Sequence, residues 1–558
     1  MKMKTKIFIF LMGCLFIVSC SNDIINQDFD KSRYVPGTFY NTQDHAIQAL
    51  NAAYSGLNDF GSGYSWTLGI MHFVLGDDLY ETGYAAGFAP WGPIAELNLS
   101  NTFSAIGSTW SGYYANILKC NVALEVMPQA QAQADNPNFT TDVLNLYMGQ
   151  VYFLRAFNYY WLYTYFPDDK IVLRRTPPQS ADDFTLAPSP SDSTFAFIES
   201  DLKKAESLLT SGLNITPGYE KGRVTRGAAA ALLGKLYMYR HMYDKAAAEF
   251  KKILPDVGDA AYGTYSLVEN YRDNFTKYNE NNSESVFEIQ YDNITQTSFG
   301  NELNWITQNW TLNHTSLSNM WWNFGVPTFK LDEFENWTED IGGIPTTVYD
   351  YRVYETFWGV PHGANFTDHG TVKDWQAQGW ADETIIGLPG AYGIRKMSLD
   401  NSEDYPTGAN AQWSDRNIRI IRLADVMLLY AECMANLNPS NLTATDPNSA
   451  IYWIDKVRNR ANNVMDDQPN LYSARPDIRG QLPPALNLMN SKGWSLMRLI
   501  EHERYVEGYC EGWRKEDLKR WKKGADYDIH KSFWNGYESL TLPVPASNEL
   551  DRNPNMPQ

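Results

Sequence analysis

The chain is poor in cysteine, in basic residues and in long apolar runs, and each shortage narrows what it can be. Five cysteines in 558 residues are too few and too widely spaced for a disulfide framework or a zinc site. Lys and Arg number 46 against 65 Asp and Glu, a formal net charge of −19. That balance disfavours nucleic acid and any groove for anionic polymers, so no nucleic-acid partner is expected and a neutral ligand suits the chain better. Beyond the amino terminus no stretch reaches the roughly 18 uninterrupted apolar residues of a membrane-spanning helix. The nearest rival, Leu146 to Phe166, is broken by Gln150, Arg155, Asn158 and several tyrosines and reads as a buried soluble helix.

Catalytic patterns are also short of what their chemistry needs. His502-Glu503 opens an H-E-x-x-H zinc pattern, but Val506 stands where the second histidine must lie to share a helical face. Gly63-Tyr64-Ser65-Trp66-Thr67 lacks the closing glycine of a nucleophile elbow. Gly234-Lys235 has Ala229 where a phosphate loop needs its first glycine. No cofactor or metal is expected, and no carboxylate pair is singled out for glycoside hydrolysis. Glu501, Glu503, Glu507 and Glu511 read as a solvated or ion-paired helix face.

What is there begins with Met1 to Cys20, where Lys2, Lys4 and Lys6 precede an apolar run from Ile7 to Val18. This is a secretory signal, too short for a span. Its ending, Ile17-Val18-Ser19-Cys20, is similar to a bacterial lipobox, which makes Cys20 the lipidated first residue of the mature chain. Each buried methylene of an acyl chain adds about 0.8 kcal/mol, so several chains on one cysteine anchor it effectively for good. Loss of the three lysines takes the charge from −19 to −22 (−19 − 3). Cys14 leaves with the signal, and the remaining thiols, Cys120, Cys433 and Cys510, each fall in an apparent helix and read as buried and free.

The body is mainly helical. Residues 42–57 carry Ala46, Ala49, Leu50, Ala53 and Tyr54 on one face. Helices follow over 110–127, 146–166, 191–209 and 225–239, the last capped by Thr225. Tyr243, Ala246 to Ala248 and Phe250 keep a loose tetratricopeptide-like spacing without a strict period. From 256 to 414 periodicity fades into loops and short strands rich in Asn, Gly, Thr and aromatics. Nine of the 18 tryptophans lie between Trp305 and Trp413. Five bases, Lys330, Arg352, Lys373, Arg395 and Lys396, face 14 acids in that window, unlike a nucleic-acid reader. Three helical runs then close the chain: 417–439, one from Asn448 after Asp446-Pro447, and 499–521, broken by Gly508 and Gly512 into two helices.

These last runs carry a resemblance. Arg422-Leu423-Ala424-Asp425, Leu429-Tyr430-Ala431-Glu432, Val457-Arg458-Asn459-Arg460-Ala461, Glu503-Arg504, Glu511-Gly512-Trp513-Arg514, Asp517-Leu518 and Arg520-Trp521 stand in the order and spacing of the SusD/RagB family of outer-membrane nutrient-binding lipoproteins. Ala49 to Tyr54, the stretches from Tyr152 and Gly222, and Ser283 to Gln290 extend it over most of the mature chain. The resemblance implies a tetratricopeptide-like superhelical lobe, built from both ends of the chain, with an irregular loop-rich lobe containing short strands. It divides the sequence into a signal (1–19), a lipidated tether (20–36), an N-terminal body (37–255), a ligand-binding region (256–414) and signature helices (415–558).

It also implies a non-catalytic, cell-surface glycan-binding protein anchored in the outer membrane through Cys20, delivering an oligo- or polysaccharide to a TonB-dependent SusC-like transporter. Sugar rings need flat aromatic faces and amide or guanidinium donors. Two stretches offer them: 77–101, with Tyr84 and Trp91, and 293–322, with Trp305, Trp310, Trp321 and Trp322. In the family the platform comes from these two regions, which makes Trp91 the first choice; Trp358 is a further candidate. For each ring the sequence leaves open whether it faces a ligand or packs between loops. An oligopeptide ligand of RagB type and a surface glycoside hydrolase are the rival readings.

Overall fold

The structure, a computed structural model, describes residues 40–57, 75–76, 78, 80–81, 99–211, 221–291, 324–341, 343–358, 391–394, 396, 416–462, 482–522 and 540–557. Its helices are α1 (Gln43–Ser55), α2 (Ser104–Gln133), α3 (Thr141–Tyr165), α4 (Ser191–Leu208), α5 (Arg226–Tyr239), α6 (Tyr243–Lys251), α7 (Tyr351–Thr356), α8 (Leu423–Leu437), α9 (Ala450–Asn462), α10 (Ala485–Lys492), α11 (Leu496–Gly508) and α12 (Trp513–Trp521). Several begin where the sequence supplies a cap. Thr42, Thr140, Thr225 and Ser495 each accept a hydrogen bond from the backbone N–H three residues on, worth about 1 kcal/mol apiece.

Helices α1 to α6 stack in order, α2 on α3, α3 on α4, α4 on α5 and α5 on α6, and the stack then passes to α8 and α9. A solenoid of this kind buries each apolar face against its neighbour. Its continuity across the jump from Lys251 to Leu423 makes it a tetratricopeptide-like lobe assembled from both halves of the chain. Ala228 to Ala231 are completely buried in α5. At Gly234 an added Cβ would come within 2.4 Å of the Phe250 ring of α6, so the small residues let the pair close. α3 is buried nearly all round, from Val151 to Tyr165, and its aromatics meet edge to face: Phe157 and Phe153 both pack on Phe287 at 5.7 and 5.0 Å. Each fully buried large apolar side chain contributes about 1.5–3 kcal/mol.

The strands are short: β1 (Tyr80–Glu81), β2 (Ser285–Ile289), β3 (Phe324–Pro327), β4 (Asn336–Ile341), β5 (Ile344–Tyr349), β6 (Phe357–Trp358), β7 (Ala391–Ile394) and β8 (Ile418–Arg422). They form a four-stranded antiparallel sheet in the order β1-β3-β7-β6, a long-range antiparallel pair β2-β8 and a hairpin β4-β5.

Two expectations are corrected. Residues 417–422 are not the start of a helix: Ile418, Ile420 and Ile421 extend as β8 against β2, and the helix begins at Leu423. β-branched side chains favour this pleated surface. Cys510 is not helical but sits in the turn between α11 and α12 with φ 57°. Of the two readings of the glutamate stripe the ion-paired one holds: Glu503 and Glu507 are completely buried and, with Glu511, paired to arginines. Cys120, Cys433 and Cys510 are all buried free thiols, as expected.

Candidate functional site

The four-stranded sheet pairs a strand at the start of one aromatic-bearing stretch with a strand that follows the other. In the β1–β3 register Tyr80 lies across from Gly325 and Glu81 across from Phe324. Strands β3, β7 and β6 alternate in direction after that, with Val326 opposite Tyr392 and Phe357 opposite Ile394. The end of β1, the start of β3, the end of β7 and the start of β6 therefore share one end of the sheet. Glu81 is three residues before Tyr84 and Phe324 two after Trp322, each link spanning at most about 3.6 Å per residue.

Tyr84, Trp91, Trp305, Trp310, Trp321 and Trp322 themselves lie outside the described residues. The backbone of Trp358 is in β6, paired with Gly393.

What holds this sheet is α11 and the turn after it, and all four strands are tied to them within a few residues. Ahead of β1, the Asp78 carbonyl accepts a hydrogen bond from the Tyr509 hydroxyl at 2.7 Å. After β3, the Lys330 carbonyl accepts from Tyr505 at 3.2 Å, and Glu333 accepts from Arg498 at 2.6 and 2.8 Å. Ahead of β6, Arg352 of α7 donates to Glu503 at 2.5 Å and Glu507 at 3.0 Å, its side chain held from behind by Asp350 at 2.7 Å. After β7, the Lys396 ammonium donates to the carbonyls of Glu507 and Tyr509, both at 2.9 Å, and pairs with Glu511 at 2.7 Å. Phe357 closes the contact, edge-on to Tyr509 at 5.0 Å.

The tethers run through one buried ionic cluster. Glu503, Glu507 and Glu511 fall at i, i+4 intervals on α11 and its exit. Arg422 donates to Glu284 at 2.8 Å, to Glu507 at 2.6 Å and to both oxygens of Glu511. Arg460 bridges Glu284 and Glu507, and Arg458 bridges Glu335 and Glu503. Burial opposes the charge on Glu507, but Arg460, Arg422 and Arg352 outweigh it and hold its carboxyl well below the usual range. Burial wins at Lys396, whose pKa falls below the ordinary value despite Glu511.

His502, the first half of the incomplete zinc pattern, belongs to this scaffold. Its Nδ1 is 3.1 Å from Glu333 and its Nε2 3.7 Å from Glu335. Burial opposes protonation, yet the two carboxylates raise its pKa above 6.5. In turn burial would raise both glutamates, but hydrogen bonds and charge from His502, with Arg498 at Glu333 and Arg458 at Glu335, take them down to about 2. Among the described residues no His, Cys, Asp and Glu group is arranged to hold a metal.

A second cluster seats α12 on α8: Arg520 pairs with Glu432 and Asp517, Arg504 with Asp425 and Asp517, and Lys235 of α5 with Asp425 at 2.9 Å. The residues Asp78, Arg352 and Lys396 were not singled out from sequence, because their partners lie more than 100 positions away.

Comparison with known proteins agrees with this architecture. The SusD family model matches residues 283–557, and a second, described as starch-binding associating with outer membrane, matches residues 95–238. A SusD-like protein of Formosa agariphila is 22% identical, covering 98% of this chain and 96% of its own. A laminarin-binding SusD-like protein of known structure aligns with a TM-score of 0.68 at 24% identity, over 92% of this chain and 98% of its own. Surface glycan-binding protein A from Bacteroides thetaiotaomicron, solved with laminarihexaose, aligns at 0.67 and 19% identity, over 93% and 99%. The two matching models take in α2 to α5, α8 to α12 and most of the clamp, and the chain belongs to the SusD family.

Proposed function

We propose that the protein is a non-catalytic, lipid-anchored glycan-binding protein of the cell surface that captures an oligo- or polysaccharide and passes it to a TonB-dependent outer-membrane transporter. The observation that carries the reading is that a protein of this fold was solved with laminarihexaose, while here the roots of two aromatic-bearing stretches, Glu81 and Phe324, are adjacent in one sheet. Aromatic faces from Trp91, Tyr84, Trp305, Trp310, Trp321, Trp322 and Trp358 would supply the stacking platform, and the α11 clamp would keep it in place. Cys20 would carry the lipid, and the helical stack would face the transporter.

Affinity electrophoresis against a panel of neutral glycans, laminarin and starch among them, tests it. Retardation by at least one is expected. An aromatic contact is worth about 0.5–1.5 kcal/mol, so Trp91→Ala should weaken binding about two- to tenfold. Migration unchanged by every glycan refutes the reading, and release of reducing ends on prolonged incubation refutes its non-catalytic part.

A further inference from the structure

Away from the sheet, the amino-terminal half of α2, the stretch 174–186 and the carboxy-terminal turn Ala546–Leu550 enclose an open cavity of about 300 Å³. Its floor is built. Trp110 donates from Nε1 to Glu549 at 3.3 Å, and the Tyr114 hydroxyl both donates to the Val172 carbonyl and accepts from the Val172 N–H. The Arg174 guanidinium lies over the Tyr114 ring at 5.4 Å, fixed by a 2.7 Å hydrogen bond to the Asp183 carbonyl. Its rim is apolar and uncovered. Leu118, Phe184 and Leu186 are 42%, 61% and 37% exposed, three of the five exposed large apolar side chains among the described residues.

Exposing Phe184 and two leucines around one cavity forgoes burial at about 25 cal/mol per Å², and such gatherings mark binding surfaces. Charge narrows the ligand. Arg174 and Arg175 are balanced in the lining by Asp183 and Glu549, so the site is formally neutral and favours neither a phosphate nor an acidic peptide. Arg175 is stacked on Phe197 at 4.7 Å, and a guanidinium held by its face presents its N–H edges outward to hydroxyl oxygens. The volume is at the lower end of small-molecule sites, enough for one or two sugar rings. A rim of three side chains is far from the about 20 to 30 residues a side of a stable protein interface.

We infer that this cavity is a second carbohydrate site, in which a neutral sugar ring lays its C–H face on Phe184, Leu118 and Leu186 and turns its hydroxyls to Arg174 and Arg175. The choice of a sugar among neutral polar ligands rests on the glycan-binding reading above. A polysaccharide held at two places on one molecule dissociates more slowly than one held once.

Hydroxyl-radical footprinting of the full chain in detergent micelles tests it, with laminarihexaose, maltohexaose, cellohexaose and mannohexaose as separate probes at millimolar concentration. The expected result is a several-fold drop in oxidation of Phe184, Leu118 and Leu186 with at least one probe. That drop should persist in Trp91→Ala and be lost at Leu118 and Leu186 in Phe184→Ala, an exposed substitution that leaves the fold intact. Protection elsewhere on the chain with none at these three residues overturns the second site and leaves the main reading standing. Protection at these three alone supports this site and overturns the Trp91 platform, and no protection anywhere overturns both.

Discussion

Glu507→Gln removes one charge and keeps the shape, which makes it the sharpest probe of the ionic cluster. The wild-type carboxylate accepts from Arg352 at 3.0 Å, from Arg422 at 2.6 Å and from Arg460, and it is completely buried. At an effective dielectric of about 20, unit charges about 4 Å apart attract by about 4 kcal/mol. Three such attractions go, three guanidiniums remain together, and the relief of desolvating one carboxylate offsets only part. Breaking a buried pair costs about 3–5 kcal/mol, a large share of the about 5–15 kcal/mol that holds a domain. The assay is urea unfolding followed by tryptophan fluorescence at neutral pH. Lys203→Ala is the control: its pair with Glu199, at 2.8 Å, leaves Lys203 55% exposed and should cost under about 0.5 kcal/mol. If Glu507→Gln falls within about 1 kcal/mol of wild type, the cluster is no scaffold and α11 does not position the sheet.

Acid should unfold the His502 corner in a defined window. Glu333 and Glu335 have folded pKa values of about 2 against 4.5, so the unfolded chain takes up more protons and their contribution, complete above 4.5, is lost as pH falls toward 2. Melting curves across that range should flatten in Glu335→Gln relative to wild type, and identical slopes would contradict the assignment. His502, raised above 6.5, contributes fully below that value and loses its contribution as pH rises through its folded pKa; His502→Gln should lack this alkaline decline. At Gly508 an added Cβ would meet the Trp513 ring at 2.0 Å, and that ring carries Arg422 at 4.7 Å and Arg504 at 5.1 Å. Gly508→Ala should therefore cost about 1–3 kcal/mol in the same urea assay; an unchanged midpoint would show that the ring yields freely. Cys120, Cys433 and Cys510 are buried, with Cys120 pushed up to about 12 by burial. They should resist a thiol reagent in the folded protein and be the three thiols that react after unfolding, whereas five would mean that the signal and Cys20 were never processed.

Local features were legible because local chemistry decides them. Thr225 caps α5, Gly508 and the turn at Gly512 separate α11 from α12, and the alanines of α5 sit where close approach is needed. Residues 417–422 misled because Ile418, Ile420 and Ile421 lie directly against a strong helical periodicity. Only pairing with β2, more than 120 residues earlier, decides for a strand. The acidic stripe on α11 was visible as i, i+4 spacing, but its burial was not: it depends on Arg352, Arg422, Arg458 and Arg460 arriving from three other elements. Of the candidate rings, sequence offered the identity and the two stretches. The register of β1 and β3 adds what no periodicity carries, that the stretches spring from adjacent residues.

The four tethers between the sheet and α11 divide the labour of change within the molecule. Asp78 and Lys396 hold through or to backbone carbonyls, and Arg352 holds through carboxylates on the helix. Each footing lies within a few positions of the strand it holds. A change of length or composition made beyond these four footings leaves the anchors of this chain as they are, so the sheet with its clamp is one unit and what is attached to it another.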